Sequence, residues 1–169
     1  MIRFLVSLCL LVSLALAQPP AQAGGGGQDM TSIPEIFNYT LTLDKVEKWA
    51  AANRAWIPYF KSHTDQLKAK PDPKPGEIKT LDEMVRWTKA KAPEYVHIVE
   101  SAGITLKEYL ILGIAIPSAL AAASTIERGV QPPPGTHINQ ANAAFAKANK
   151  AKLNAIFTEL QQLYVGHKL

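Results

Sequence analysis

Cysteine is almost absent from this chain of 169 residues, and the single thiol, Cys9, lies inside an apolar run rather than at the end of one. That excludes a disulfide framework, a cysteine nucleophile and a Cys-x-x-Cys-His haem attachment. A lipid anchor needs a cysteine just after such a run, behind small residues, whereas Cys9 follows Leu8 within it. Charge is sparse as well, at 19% of residues, which excludes a disordered acidic or basic tail. Aromatics make up 8%, and Trp49, Trp56 and Phe60 recur at the helical period, the spacing of core packing and not of a base-stacking platform. No nucleophile elbow or Ser-x-x-Lys pattern occurs, and Gly24 to Gly27 precede no strand-to-helix turn, so they form no phosphate loop.

The amino terminus is what the sequence does supply. Met1, Ile2 and Arg3 form a short positive region, and Phe4 to Ala17 is apolar and uncharged, the pattern of a secretory signal. Two small-residue exits follow, after Ala17 and after Ala23. The second is favoured, because Pro19 and Pro20 break the apolar helix ahead of Ala21-Gln22-Ala23. Residues 1–23 are therefore expected to be a cleaved signal peptide and the product to be periplasmic or secreted. Residues 24–41 are expected to be a Gly-rich linker and an extended arm, and 42–169 a single helical domain. In the arm, Phe37, Tyr39 and Leu41 alternate with Asn38, Thr40 and Thr42 as in a strand, yet no other segment offers a strand to pair with it. Asn38-Tyr39-Thr40 is formally a glycosylation triplet, meaningful only in a eukaryotic secretory pathway.

Beyond Thr42 every segment has the helical period. The first helix is predicted over Thr42 to about Lys68, ahead of Pro71, Pro73, Pro75 and Gly76. Thr80-Leu81-Asp82-Glu83 is a capping box that opens a short helix to about Lys91, and Pro93 opens another that runs to Ser101 before Gly103. Thr105-Leu106-Lys107-Glu108 is a second capping box, for a helix ending at Gly129. Pro132 to Pro134 form a stiff connection, and Asn139 caps a last helix reaching about Tyr164. The expected fold is all-α, about five helices in a compact bundle.

Gly103-Ile104-Thr105 with Glu108-Tyr109, a Pro/Gly loop, Asn142-Ala143-Ala144-Phe145 and Asn149-Lys150 together resemble a group of small exported, periplasmic bacterial proteins of unknown function. The resemblance covers the start of the first helix and roughly the last 65 residues. It implies an all-helical exported protein of a diderm bacterium and carries over no catalytic residue. The Pro-rich loop and Pro58, inside the first helix, depart from the pattern.

Tyr109 to Ile126 carries no charge over a length that reaches the lower limit of a membrane span. Pro117 near its middle, Ser118, Ser124 and Thr125, and the lack of a basic flank favour a core helix sheltered by its neighbours. Glu94 and His97 stand one turn apart on one helix face, as in carboxylate-bridged di-metal sites, but such sites take two Glu-x-x-His pairs plus further glutamates and only one pair occurs here. No metal or other cofactor is expected, Glu94 and His97 being the only candidates. His63, His137 and His167 fall in loop or terminal contexts. The lysines are interleaved with acids, as in Lys45/Glu47/Lys48, so the net charge of +4 reads as a solvated surface and no nucleic-acid partner is expected.

On helical wheels, Asn53 falls at the centre of the apolar arc of the first helix, and Asn142 and Asn149 fall within the arc of about 120° of the last one. Such amides need partners, across helices or at the carbonyls of Gly113 and Arg54 that Pro117 and Pro58 deprive of a helical donor. Asn53, Asn142, Asn149 and Pro117 are thus the expected polar pins of the core. The function expected is a non-catalytic binding or envelope-structural module, with a protein or small molecule in an inter-helix groove. The alternatives are a metal carrier or enzyme at Glu94/His97, and a protein anchored by a single span through 109–126.

Overall fold

A computed structural model describes residues 34–65, 78–130 and 138–165. The expected signal peptide (1–23), the Gly24 to Gly27 stretch, the Pro71 to Gly76 and Pro132 to Pro134 connections, His137 and His167 lie outside those residues. Among the described residues the protein is all-α: seven helices and no strand. They are α1 (Pro34–Phe37), α2 (Leu43–Ser62), α3 (Leu81–Lys91), α4 (Pro93–Ser101), α5 (Leu106–Glu127), α6 (Gln140–Ala148) and α7 (Lys150–Val165).

Local chemistry sets the boundaries. Thr42, Thr80, Thr105 and Asn139 each cap a helix, the side-chain oxygen accepting from the amide three residues on. At α3 the box is complete, with Glu83 accepting from the Thr80 amide at 2.9 Å. At α5 it is half made: Thr105 Oγ1 accepts from Glu108 N at 3.1 Å, while the Glu108 carboxylate turns to Tyr39 and Lys45. Gly103 and Gly129 follow α4 and α5 at φ 77° and 66°, left-handed geometry that an L side chain resists.

Three expectations need revision. α2 is interrupted by a turn at His63, next to Ser62, whose Oγ donates back to the carbonyls of Pro58 and Tyr59; Thr64 and Asp65 are helical again, and the predicted end near Lys68 lies outside the described residues. The last helix is two, bent at Asn149, yet the ladder crosses the bend through Asn149 N to Phe145 O and Leu153 N to Asn149 O. The arm begins as a helical turn, α1, closed by Asn38 N–H on the Pro34 carbonyl, so only residues 39–42 are extended. Pro58 and Pro117 are accommodated within continuous helices.

α5 is the axis of the packing: Leu106, Leu110, Leu112 and Ile116 are at most 1% exposed. Among the described residues it alone has the length and apolarity of a span, with half of its most apolar window buried against the rest of the protein. α2 packs on α4, α5 and α7, and α6 lies along α5. The aromatic seam of the core joins Trp49 to Tyr109 and Phe157, and Trp56 to Tyr95 edge-on at 4.3 Å. Ion pairs Arg54–Glu159 (2.7 Å) and Lys152–Glu47 (2.8 Å) rivet the exposed sides of α2 and α7 in parallel register.

Candidate functional site: the arm cleft

The extended arm does have a partner, and it is made of side chains. Phe37 ends α1 and leaves its carbonyl free of the helix, and beyond it the extended residues 39–42 direct the Tyr39 carbonyl and the Leu41 amide to one edge, because an extended backbone alternates with a period of two. α6 meets that edge with asparagines one turn apart. Asn139 Nδ2 donates to the Phe37 carbonyl at 2.7 Å, and Asn142 Nδ2 donates to the Tyr39 carbonyl at 2.7 Å. Asn142 Oδ1 accepts from the Leu41 amide at 3.0 Å. Asn142 therefore reads an N–H and a C=O of the arm at once, which uses both ends of its amide. Asn139 works in two directions, its Oδ1 accepting from the Asn142 amide as the helix cap while its Nδ2 holds the arm.

Side chains close the cleft. Ile36 and Leu41 are each 4% exposed and anchor the arm at its two ends. Between them the Tyr39 hydroxyl donates to Glu108 Oε1, and Lys45 Nζ sits 4.2 Å above the Tyr39 ring and 3.6 Å from the same carboxylate. Burial, reinforced by the Glu108 carboxylate, pushes the Tyr39 hydroxyl well above the ordinary tyrosine range, so it acts as a donor. Lys107 extends the polar rim, pairing with Glu35 at 3.0 Å and Asp82 at 2.8 Å, and so ties α1 and α3 to the start of α5.

The remaining polar pins serve the core. Asn53 is 3% exposed, donates to the Trp49 carbonyl at 2.8 Å and accepts from the Tyr109 hydroxyl at 2.9 Å, joining α2 to α5. Asn149 is half-buried and donates to Phe145 O at 2.8 Å, within its own turn. These amides thus take the carbonyls of Trp49, Phe145 and Tyr39, not those freed at Gly113 and Arg54. The Trp49 indole N–H is the one buried side-chain polar atom without a partner among the described residues. It lies 3.8 Å from where a Cβ on Gly113 would be.

Glu94 and His97 are exposed on α4, and among the described residues no three of His, Cys, Asp and Glu stand close enough to hold a metal ion. His63 ends α2 with its ring stacked on Tyr59 at 4.1 Å and Nδ1 within 2.8 Å of Ser62 Oγ and 2.9 Å of Tyr59 O. Sequence reasoning singled out Asn142 for its place on a wheel, but missed Tyr39, Glu108 and the second role of Asn139. The available signal was the strand-like alternation at 37–41 together with asparagines at i and i+3. Searches of family models, curated proteins and solved structures returned no match to this chain.

Proposed function

We propose that this is an exported, non-catalytic helical bundle whose work is binding, with the α6 amide face and its neighbours on α5 as the site. The observation that carries the reading is Asn142, a buried amide that recognises main chain through a donor and an acceptor together. Side chains capable of proton transfer near it, Tyr39, Glu108 and Lys45, are engaged with one another in holding the arm. Export to the periplasm or medium is supported by the charged start, the apolar run and the Ala21-Gln22-Ala23 exit. Packing of Leu110, Leu112 and Ile116 against neighbouring helices supports α5 as a core helix over the single-span alternative.

Two measurements test this reading. Intact mass of the exported product is expected to start at Gly24; a start at Gln18 moves the exit to Ala17, and retention of Met1 overturns export. Elemental analysis of protein purified without chelator or affinity metal is expected to give well under one metal per chain. About one equivalent of zinc, iron or manganese, lost in Glu94→Ala or His97→Ala, overturns the non-metal reading in favour of a carrier or enzyme.

A further inference from the structure

We propose that the far end of α5, with the bend between α6 and α7 beside it, docks on the anionic face of a lipid bilayer, its cations meeting headgroup phosphates while Ile126 and Val130 enter the boundary of the acyl chains. The inference stands apart from the Asn142 site and does not depend on it.

The interleaving of lysines with acids at Lys45/Glu47/Lys48 does not continue to this end of the chain. From Arg128 to Thr158 the sequence holds no aspartate or glutamate, while Arg128, Lys147, Lys150 and Lys152 are cationic. The fold returns carboxylates to this stretch in two places: Glu127 pairs with Lys150 at 2.7 Å and Glu47 with Lys152 at 2.8 Å. Lys150 and, from further off, Lys147 hold the Glu127 carboxyl below the ordinary glutamate range, which puts both lysines at the end of α5. Arg128 and Lys147 are exposed and make no ion pair among the described residues, so this end keeps an excess of positive charge.

Two branched apolar side chains bracket Arg128. Ile126 is 45% and Val130 54% exposed. The main chain fixes both: Gly129, at φ 66°, ends α5, its N–H donating to Ile126 O at 3.0 Å, and Val130 N donates to Thr125 O at 3.2 Å. A helix end of this kind ordinarily tucks the residue in the place of Val130 against the preceding turn, whereas here it stays more than half exposed. The outer side of α5 continues the surface without charge through Pro117, Ser118, Ala121, Ala122 and Thr125, each exposed or half-buried. It can approach a hydrocarbon boundary without stripping water from an ion.

The pairing of these features selects the partner. A soluble polyanion would engage the cations and leave Ile126 and Val130 in water. An apolar protein surface would cover that pair and leave the cations facing no counter-charge. An anionic bilayer presents both, phosphates at the headgroup level and hydrocarbon within about 5 to 10 Å beneath. α5 then lies against the surface, with Leu110, Leu112 and Ile116 still enclosed in the core.

Protein beginning at Gly24, so that the Phe4 to Ala17 run cannot itself insert, is sedimented with vesicles of phosphatidylcholine containing about a third phosphatidylglycerol, and with phosphatidylcholine alone. Binding is expected on the mixed vesicles and should be at least about tenfold weaker on phosphatidylcholine. Arg128→Gln/Lys147→Gln should weaken binding to the mixed vesicles about 25-fold, or about fivefold for each cation. Ile126→Ser/Val130→Ser should weaken it at least about tenfold and keep the parent's steep loss with added salt, because its cations are intact. Urea melts matching the parent check that the variants fold. The unaltered protein carries the test without them, since its binding to mixed vesicles should fall at least about tenfold as salt rises from about 0.01 M to 0.15 M. No binding to the mixed vesicles, a salt-insensitive affinity, or full affinity in either double variant overturns the proposal. Loss in the glutamine pair with none in the serine pair marks a site for soluble anions, and equal binding to both kinds of vesicle marks α5 as a membrane span; each of these overturns it as well.

Discussion

The core between α2, α4 and α5 and the seam between the arm and α6 are both buried, but they are held by different chemistry. In the core, Val46, Val99, Leu112 and Ile116 are fully enclosed, and one amide, Asn53, joins Trp49 to Tyr109. In the seam, Ile36 and Leu41 supply the apolar contact while asparagines and one glutamate supply the connections. Apolar contact is non-directional and scales with area, so a core built that way tolerates small shifts. Hydrogen bonds to main chain fix register and fail as a unit when a partner is removed. The core accordingly sets whether the chain folds, and the seam sets where the arm lies.

The sharpest way to break this contrast is to damage each region by one side chain. Ile116→Ala removes a fully buried group at the centre of α5 and should cost about 2 to 5 kcal/mol in urea melts, with the arm and core melting together. Asn142→Ala should cost about 1 to 3 kcal/mol, because it leaves the Leu41 amide and the Tyr39 carbonyl without their partner. Its signature is local: amide exchange should accelerate at Leu41 well before it does on α2. Uniform acceleration would show the arm to be part of the core and erase the distinction.

How much of this was legible in the sequence follows the same division. Thr80 with Glu83, Pro93, Gly103 and Gly129 act through neighbours in the chain, so short-range patterns placed α3, α4 and the ends of α5 closely. The run at 109–126 was legible as one long helix, α5, and half of its most apolar window is buried against the rest of the protein, as Pro117 and the small polar residues had argued for neighbours around it. The seam was not legible, because its pairs are far apart in sequence: Leu41 with Asn142, Phe37 with Asn139, Tyr39 with Glu108. A strand pattern suggests a strand as its partner, and asparagines on a helix suggest caps or pins. Glu108 misled for a related reason, since a box residue within reach of its own helix start is claimed by a tyrosine from the arm.

Asn149 sharpens the comparison at smaller scale. Its amide faces the apolar side of the wheel like Asn142, but it bonds Phe145 O in its own turn, and the helical ladder across the bend is carried by main chain. Asn149→Ala should therefore cost under about 1 kcal/mol, and should leave exchange at Leu41 unchanged. A loss equal to that of Asn142→Ala would mean the α6–α7 bend, and not the arm bonds, is what the asparagines protect.

The smallest effect belongs to surface carboxylates and appears only in acid. Glu83 accepts from the Lys79 amide at 2.8 Å and the Thr80 amide at 2.9 Å, and these bonds hold its carboxyl below the ordinary glutamate range. A carboxyl depressed in the folded protein binds a proton more readily when unfolded. Its stabilisation is thus complete above the unfolded value, about 4.3, and is lost as pH falls through the lower folded value. Asp82, Glu127 and Glu159 are depressed in the same direction by Lys107, Lys150 and Arg54, so acid weakens the ion pairs that link helices as well as the α3 cap. Glu83→Gln keeps an oxygen for the two amides but cannot titrate. Urea melts at pH 7 should then differ little from the parent protein, whereas between about pH 4 and pH 3 the variant should lose stability less steeply, since one of the titrating groups is gone. The slope must fall without vanishing, because the three paired carboxylates remain; an unchanged slope would remove the α3 cap from the acid response and leave it to the ion pairs alone.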